Sequence, residues 1–366
     1  MLIVDAHLDL AFNAVSGRDV LKPAILQPAD DDGIPTVGLP DLRRGKVALI
    51  CGTIFCMPAR GEKPGYHTAQ EAHAAATAQL DWYHQQAAAG QLRLVTHPAD
   101  LPTSVPVTEH YPIPTIVLME GAEAIRIPSE AADWFARGVR IVGLAWKRTR
   151  HAGGTGQPGG LTDEGRLLVG ELDRWGIIID VSHLAEQAFW ELLDLSPRPV
   201  IASHSNCREI VPTDRQLSEA MIRAIVQRGG VIGINFYDKF LLPAGDTRRA
   251  TLGDVMNHVR HICDIAGDCR HVGIGTDMDG GLGREQIPHE ITTSADLPRL
   301  GDAARSAGFS DADVAALMGG NWLDFLRPNM PPPVLPAPIR EVPGFSDTPL
   351  FINILEFDCM SLSQCL

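Results

Sequence analysis

Short runs of aliphatic and β-branched residues bounded by Gly or Pro recur along this chain, alternating with stretches whose apolar positions return every three or four residues. Eight runs, at 2–7, 47–55, 114–119, 139–146, 177–182, 199–203, 230–236 and 271–276, read as buried strands. Several lack polar alternation, as expected of strands covered on both faces by helices. The intervening segments 68–89, 163–175, 185–195, 217–228 and 252–266 have the apolar spacing of amphipathic helices. Eight strands alternating with helices predict a parallel α/β architecture, a closed (β/α)8 TIM-type barrel.

Some stretches interrupt the pattern. Residues 13–41 are rich in Asp, Pro and Gly and are expected to form a loop excursion after the first strand, while 92–96 reads as an extra strand outside the barrel. Residues 311–326 read as a closing helix with a Gly-Gly interruption. Beyond it, Pro328, Pro331, Pro332, Pro333, Pro336 and Pro338 are expected to prevent regular helix or central strand. The chain thus divides into a barrel over 1–327 and a proline-rich appendage over 328–366. The apolar end of that appendage either packs on its own barrel, covers a neighbouring subunit, or forms a disordered tail.

Composition narrows the partners. With 366 residues and 45% hydrophobic content, one large core is affordable, and a formal charge of -14 disfavours nucleic acid and anionic membrane surfaces. The opening MLIVDAHLDL reads as a strand and not as a signal peptide, and no stretch approaches transmembrane length. Seven scattered cysteines, never spaced as CxxC, argue against a disulfide framework or a zinc ribbon and favour a reducing cytoplasm.

The chemistry lies where the apolar runs end. His7 and Asp9, Glu120, His183, His204 and Asp277 each stand at or just past such an end, the rim where parallel α/β folds gather functional groups. His7-Leu8-Asp9 has period-two spacing, so in extended backbone both side chains project to one side and can share an ion. Glu120 can bridge two ions, and His183 and His204 end neighbouring strands. Asp277 can ligate a metal and accept a proton from a metal-bound water. Two imidazoles, two aspartates and one shared glutamate, with no cysteine at these strand ends, suit zinc or another first-row divalent ion. Paired ions about 3.5–4 Å apart make hydroxide available near neutral pH, so hydrolysis is the expected reaction. The nine histidines His67, His73, His84, His97, His110, His258, His261, His271 and His289 are expected to be ordinary residues, with His258 and His261 on a solvated helix face.

In this order and spacing, DAHLDL, LMEG, GGLTDEGRLLVGELDRWGIIIDVSH, PVIASHSNCREIVPTDRQL, GGVIGINF and HVGIGTDMDG resemble the membrane (renal) dipeptidase family of the amidohydrolase superfamily, over roughly residues 1–327. The resemblance implies a binuclear-zinc dipeptidase, two Zn2+ per chain, that cleaves the amide bond of dipeptides with a metal-bridging hydroxide. His7 and Asp9 would hold one zinc, His183 and His204 the other, and Glu120 would bridge. Asp277 would complete the first zinc's ligands and carry a proton to the leaving amine. Arg215 would bind the substrate's terminal carboxylate through its planar fork. A homodimer is also implied.

One departure stands out. Where the family has a histidine that holds the scissile carbonyl, this chain reads Ile141-Val142-Gly143-Leu144-Ala145-Trp146, and indole offers one donor and no acceptor. Either the Trp146 N–H or nearby His151 supplies the missing contact, or the substrate differs from an ordinary L,L-dipeptide. The basic loop Lys147-Arg148-Thr149-Arg150-His151, with glycine pairs at 153–154 and 159–160 that would let it move over the mouth, suits a negatively charged substrate or merely balances local acidic residues. The alternatives are another amidohydrolase activity on the same centre, toward an N-acyl amino acid, lactone or phosphoester, and a metal-binding scaffold without catalysis.

Overall fold

The computed structural model describes residues 1–59, 61, 65–106 and 110–331. Most of the expected appendage, 332–366, therefore lies outside the described residues. Among those described, eleven strands follow in chain order: β1 (Ile3–Leu8), β2 (Val47–Phe55), β3 (Leu92–Leu94), β4 (Ile113–Glu120), β5 (Val139–Gly143), β6 (Ala152–Gly154), β7 (Gln157–Leu161), β8 (Ile178–Asp180), β9 (Val200–Ile201), β10 (Ile232–Ile234) and β11 (Val272–Ile274).

Eight of these, in the order β10-β11-β1-β2-β4-β5-β8-β9, make one parallel sheet. It closes through the bridge Ala202↔Ile232, where the Gly233 N–H donates to the Ala202 carbonyl over 2.7 Å. The result is a (β/α)8 barrel; six of its strands fall within predicted apolar runs, β1 overruns its run by one residue and β4 by one at each end. β3 pairs with β4 off the barrel path, as the 92–96 reading anticipates. The predicted helices form over Ala69–Ala88, Asp163–Trp175, Glu186–Leu195, Glu219–Gln227 and Leu252–Ala266. Their starts are set locally: Thr68 with Glu71, and Thr251 with Asp254, make reciprocal capping boxes that satisfy otherwise orphaned N–H groups.

Strand alternation decides what points inward. Val4 and Ala6, Leu49 and Cys51, Ile116 and Leu118, Ile141, Ile178 and Ile201 share one core cluster with Trp322, Leu323, Phe325 and Leu326. Their neighbours of opposite parity, such as Ile50, Val117, Val142 and Ile179, pack with the surrounding helices. Continuing the inward rows by two residues reaches Thr53, Glu120, Asp180 and Ser203, so the barrel turns from apolar to polar toward one rim.

The opposite end is plugged by the closing helix. It runs as Asp311–Ala315 and Asn321–Asn329 around a wide turn at Ala316–Gly320, and the Gly-Gly interruption falls inside that turn. A Cβ on Gly319 would stand 2.9 Å from the Leu2 carbonyl oxygen, so the turn lies hard against the start of β1. The Trp322 indole N–H donates to the Ile274 carbonyl over 2.9 Å.

Three expectations need correction. The 13–41 excursion is partly helical: it begins inside Leu10–Val15 and ends inside Leu39–Arg44, whose Leu39 and Leu42 are buried anchors. Pro328 does not end the last helix, because it sits in its final turn, and the carbonyl it leaves unpaired belongs to exposed Asp324. The glycine-rich stretch after β5 is not a free loop but the antiparallel hairpin β6–β7. A Cβ on Gly153 would meet Gly159 N at 2.5 Å, and one on Gly154 the Lys147 carbonyl at 2.6 Å. Those glycines permit close backbone approach, and the approach pins the segment. No helix among the described residues is long and apolar enough to cross a membrane.

The tightest packing surrounds the Ser203 carbonyl, which lies against both Gly233 and Gly275; a Cβ would stand 2.0 Å or 1.7 Å from it. Gly275→Ala is expected to lower the melting temperature by roughly 5 °C or to prevent folding, because rigid strand backbone cannot yield. A thermal melt within about 1 °C of wild type would contradict that packing.

Candidate metal centre

The strand ends deliver the predicted ligands to one rim. His7 lies in β1 and Asp9 one residue beyond it; Glu120 is the last residue of β4; His183, His204 and Asp277 each follow the last residue of β8, β9 and β11 by three. Two of these residues adopt left-handed backbone, His183 at φ 64° and Asp277 at φ 58°. That conformation costs a non-glycine residue about 1–2 kcal/mol and is kept only where surrounding contacts enforce it. Here the Asp277 N–H donates to the His7 carbonyl over 3.2 Å, and its carboxylate Oδ2 accepts from Asn235 Nδ2 over 2.9 Å. Asp279, also left-handed at φ 65°, locks the turn by accepting from the backbone N–H groups of Thr36 and Val37, both over 2.8 Å, and by pairing with Arg18.

Glu120 divides its two oxygens. Oε1 stands 3.2 Å from His183 Nε2 and 3.5 Å from His204 Nε2, which are 3.0 Å from each other. Oε2 stands 3.4 Å from His7 Nε2, and that nitrogen is 3.9 Å from both Asp9 Oδ1 and Asp277 Oδ1. Donors held tetrahedrally about 2.0–2.1 Å from one ion stand about 3.4 Å apart, so the Glu120-His183-His204 triangle has the size of a zinc site. The second donor set, His7, Asp9 and Asp277 around Oε2, is slightly wider. His7 Nε2 is fully buried with no hydrogen-bond partner, an orphan that a cation would satisfy.

Electrostatics agree with the geometry. Burial holds the His183 and His204 imidazoles well below their ordinary pKa, so both are neutral lone-pair donors and their approach to Glu120 is not an ion pair. Burial pushes Glu120 up to about 8, with the Asp180 charge adding to it. Burial also raises Asp9 and Asp277, and each is raised further by neighbouring carboxylates. Crowded carboxylates and neutral imidazoles cannot all reach their charged, unprotonated state without a compensating positive charge, and divalent cations supply it.

A cavity of 310 Å3 opens onto this cluster. Its floor carries Asp9, Glu120, His183 and Asp277, and its walls include Phe12, Phe55, Trp146 and Phe240. Trp146 meets Phe55 edge-on at 5.1 Å and lies 6.1 Å from the His183 ring. Arg215 also lines the cavity, buried, with Nη1 donating to Ser205 Oγ over 2.9 Å and Nη2 to the His204 carbonyl, while its Nε has no partner.

His151 is not brought to the site. It is fully buried, its Nε2 3.1 Å from the Ile125 carbonyl oxygen, and it lies outside the cavity wall, because the β6–β7 hairpin draws it into the core. The rest of the basic run is also committed elsewhere: Arg150 pairs with Glu123 at 3.2 Å and Arg148 bonds the Pro158 carbonyl. Of the five residues, Lys147 alone lines the cavity. His258 is not solvated but buried, bridging the Cys207 N–H (3.1 Å) and the Leu241 carbonyl (3.2 Å), and so ties a helix to the segment that carries Arg215.

Sequence reading missed the supporting polar residues: Asp5, Thr53, Thr155, Asp180, Ser203, Asn235 and Thr276. Thr53 donates to Asp9 Oδ1, and Thr155 Oγ1 lies 3.0 Å from His183 Nδ1. The available signal was an aspartate inside an aliphatic run, as in LIVDAH and GIIIDVSH, since a strand buries a carboxylate only when it has partners.

Comparison with known proteins places this rim. A family model described as membrane dipeptidase, peptidase family M19, matches residues 1–328. A Klebsiella pneumoniae protein described only as lying in the pqqA 5′ region is 32% identical over 252 residues, 65% of this chain and 89% of that protein. Dipeptidase tcpJ of Claviceps purpurea is 34% identical over 171 residues, 46% of this chain but only 38% of its own length. Among solved structures, a metallo peptidase from Rhodobacter sphaeroides, liganded with a phosphinate mimic of the dipeptide L-Ala-D-Ala, superposes with a TM-score of 0.75 at 27% identity, covering 90% of this chain and 99% of that one. A match that runs through nearly all of the barrel, from β1 to the closing helix, makes this chain a member of the membrane dipeptidase family, a metallopeptidase that hydrolyses peptide bonds.

Proposed function

We propose that the chain hydrolyses the single amide bond of dipeptides on two divalent ions, zinc or a similar first-row metal, shared through Glu120. The observation that carries this reading is the division of the Glu120 oxygens, one toward His183 and His204, the other toward His7. When bound, such ions polarise the scissile carbonyl and lower the pKa of water between them to near neutrality.

The remaining work falls to the chain's own residues. Asp277, aimed by Asn235 at Oδ2, takes a proton from the attacking water at Oδ1, the oxygen that faces the cluster, and passes it to the departing amine nitrogen. Arg215 stands in the cavity wall with its guanidinium held from behind by Ser205 and the His204 carbonyl, so its remaining N–H groups receive the substrate's terminal carboxylate. Trp146, Phe55 and Phe12 exclude water and give the first side chain an apolar wall. Trp146 offers only an indole N–H where a carbonyl must be oriented. The L-Ala-D-Ala mimic on the Rhodobacter relative supports a small dipeptide and a D-configured second residue as the first substrates to try. Lys147 in the wall favours acidic first residues.

Exhaustive chelation should abolish dipeptide hydrolysis, and two equivalents of Zn2+ should restore it. Metal affinity should fall as the pH drops from about 8 to about 6, because carboxyls with raised pKa then keep the protons that the metal must displace. Full activity after chelation would remove the metal from the reaction. Asp277→Asn should lower kcat by about 10²–10⁴-fold, the usual worth of a positioned proton-transfer group; steady-state kinetics that leave kcat within threefold would reassign the proton step. Arg215→Ala should raise KM for dipeptides by about 10–100-fold, the scale of a lost charge-assisted hydrogen bond, with a much smaller effect on dipeptide amides. Equal effects on both substrate types would show that Arg215 does not read the carboxylate.

A further inference from the structure

Two buried aspartates repeat one construction below the ligands. Asp5 accepts from the backbone N–H groups of His7 (3.3 Å) and Thr276 (2.9 Å) and from the Thr276 hydroxyl (2.6 Å). Asp180 accepts from the N–H groups of Ser182 (3.0 Å) and Ser203 (2.8 Å) and from the Ser203 hydroxyl (2.5 Å). Each clasp joins two adjacent strands, β1 to β11 and β8 to β9, immediately before their ligating residues. Clasping strands is thus common to both.

The second clasp does something more. Ser203 Oγ lies 2.8 Å from His204 Nδ1 and 3.1 Å from His7 Nδ1, and the Nε2 atoms of these two rings approach different oxygens of Glu120. A serine hydroxyl has one proton to donate and two lone pairs. Its proton goes to Asp180 Oδ2, since Oδ1 already takes both backbone N–H groups. The neighbouring Ser182 hydroxyl, 3.5 Å away, is engaged by the His204 N–H and by Ser205. The imidazole nitrogens, at 2.8 and 3.1 Å, lie closer to Ser203 Oγ than the Ser182 hydroxyl does and take its two lone pairs, so each ring presents Nδ1–H to it. That tautomer leaves Nε2 unprotonated on both rings, toward Glu120. A ring held in the other tautomer would point a proton where a ligand lone pair is needed.

We infer that Ser203, oriented by Asp180, is a positioning residue that sets the metal-binding tautomer of His7 and His204 together and so couples the two halves of the metal centre. The inference rests on the two-ion reading above. Thr276 makes the matching strand clasp without touching a ring and serves as the structural comparison.

The test uses full-length protein with 15N-labelled histidine, stripped of metal, in which long-range 1H–15N spectra report the tautomer of each ring. Wild type should show Nδ1–H on both His7 and His204, and Ser203→Ala should introduce the Nε2–H form on both. Zn2+ titration against a competing chelator should show both binding steps weakened by about 10–100-fold in Ser203→Ala, the usual effect of removing a ligand's supporting partner. Thr276→Val should weaken them by less than about threefold, a purely structural loss. Nε2–H rings in wild type, a single weakened step in Ser203→Ala, or equal weakening in Thr276→Val would each overturn the inference. The wild-type spectrum decides the tautomer even if Ser203→Ala fails to fold. Wild type that binds fewer than two Zn2+ would instead sink the two-ion reading, and the tautomer result would stand apart from it.

Discussion

Burying three carboxyls among three imidazoles at one end of a dry barrel is the constraint on which the rest of this structure depends. Burial makes each of these groups hard to charge and like-charged neighbours add to it, as the upward shifts of Asp9, Glu120 and Asp277 and the downward shifts of His183 and His204 record. Such a cluster is stable as a set of metal donors and costly as anything else. The barrel supplies what the cluster needs: rigid strand ends, an inward row that changes from Leu118 to Glu120 in two residues, and hydrogen bonds that hold Asp277 in left-handed conformation.

That rigidity is itself paid in glycine. Gly233 and Gly275 let the Ser203 carbonyl approach two neighbouring strands at once, which brings the β9 end, with His204, against the rest of the ring. The polar residues beneath the ligands divide their work. Thr53 and Asn235 aim carboxylates, Thr155 and Ser203 aim imidazoles, and Asp5 and Asp180 tie strand pairs.

Above the candidate metal centre, where the family resemblance leads to the expectation of a histidine, the chain carries Trp146. Trp146 builds an aromatic wall with Phe55 instead of a polar contact, and the hairpin behind it removes His151 from reach. A stretch that looks basic and loose in one dimension becomes a pinned ribbon with its arginines facing away from the cavity. On the proposed reading, selectivity rests on few groups that line the cavity, chiefly Arg215, Lys147 and the aromatic wall.

The eight barrel strands, the main helices and the six candidate metal donors that gather at one rim were legible in the chain itself. Apolar periodicity reports which surfaces must be buried, and ionisable residues at the ends of buried runs can only stand at a rim. Where side chains meet across the barrel was not legible. His151 and Trp146 are five residues apart, yet one is buried in the core and the other lines the cavity, because the hairpin that begins right after His151, with its glycine backbones in close approach, holds that end of the segment inward. Nor does any local pattern state that Ser203 touches rings from β1 and from the end of β9, or that Glu120 offers a different oxygen to each side. Sequence determined which residues could serve as donors. Only tertiary packing, by setting distances between strands remote in the chain, decided which donors stand close enough to share an ion and which polar neighbours aim them.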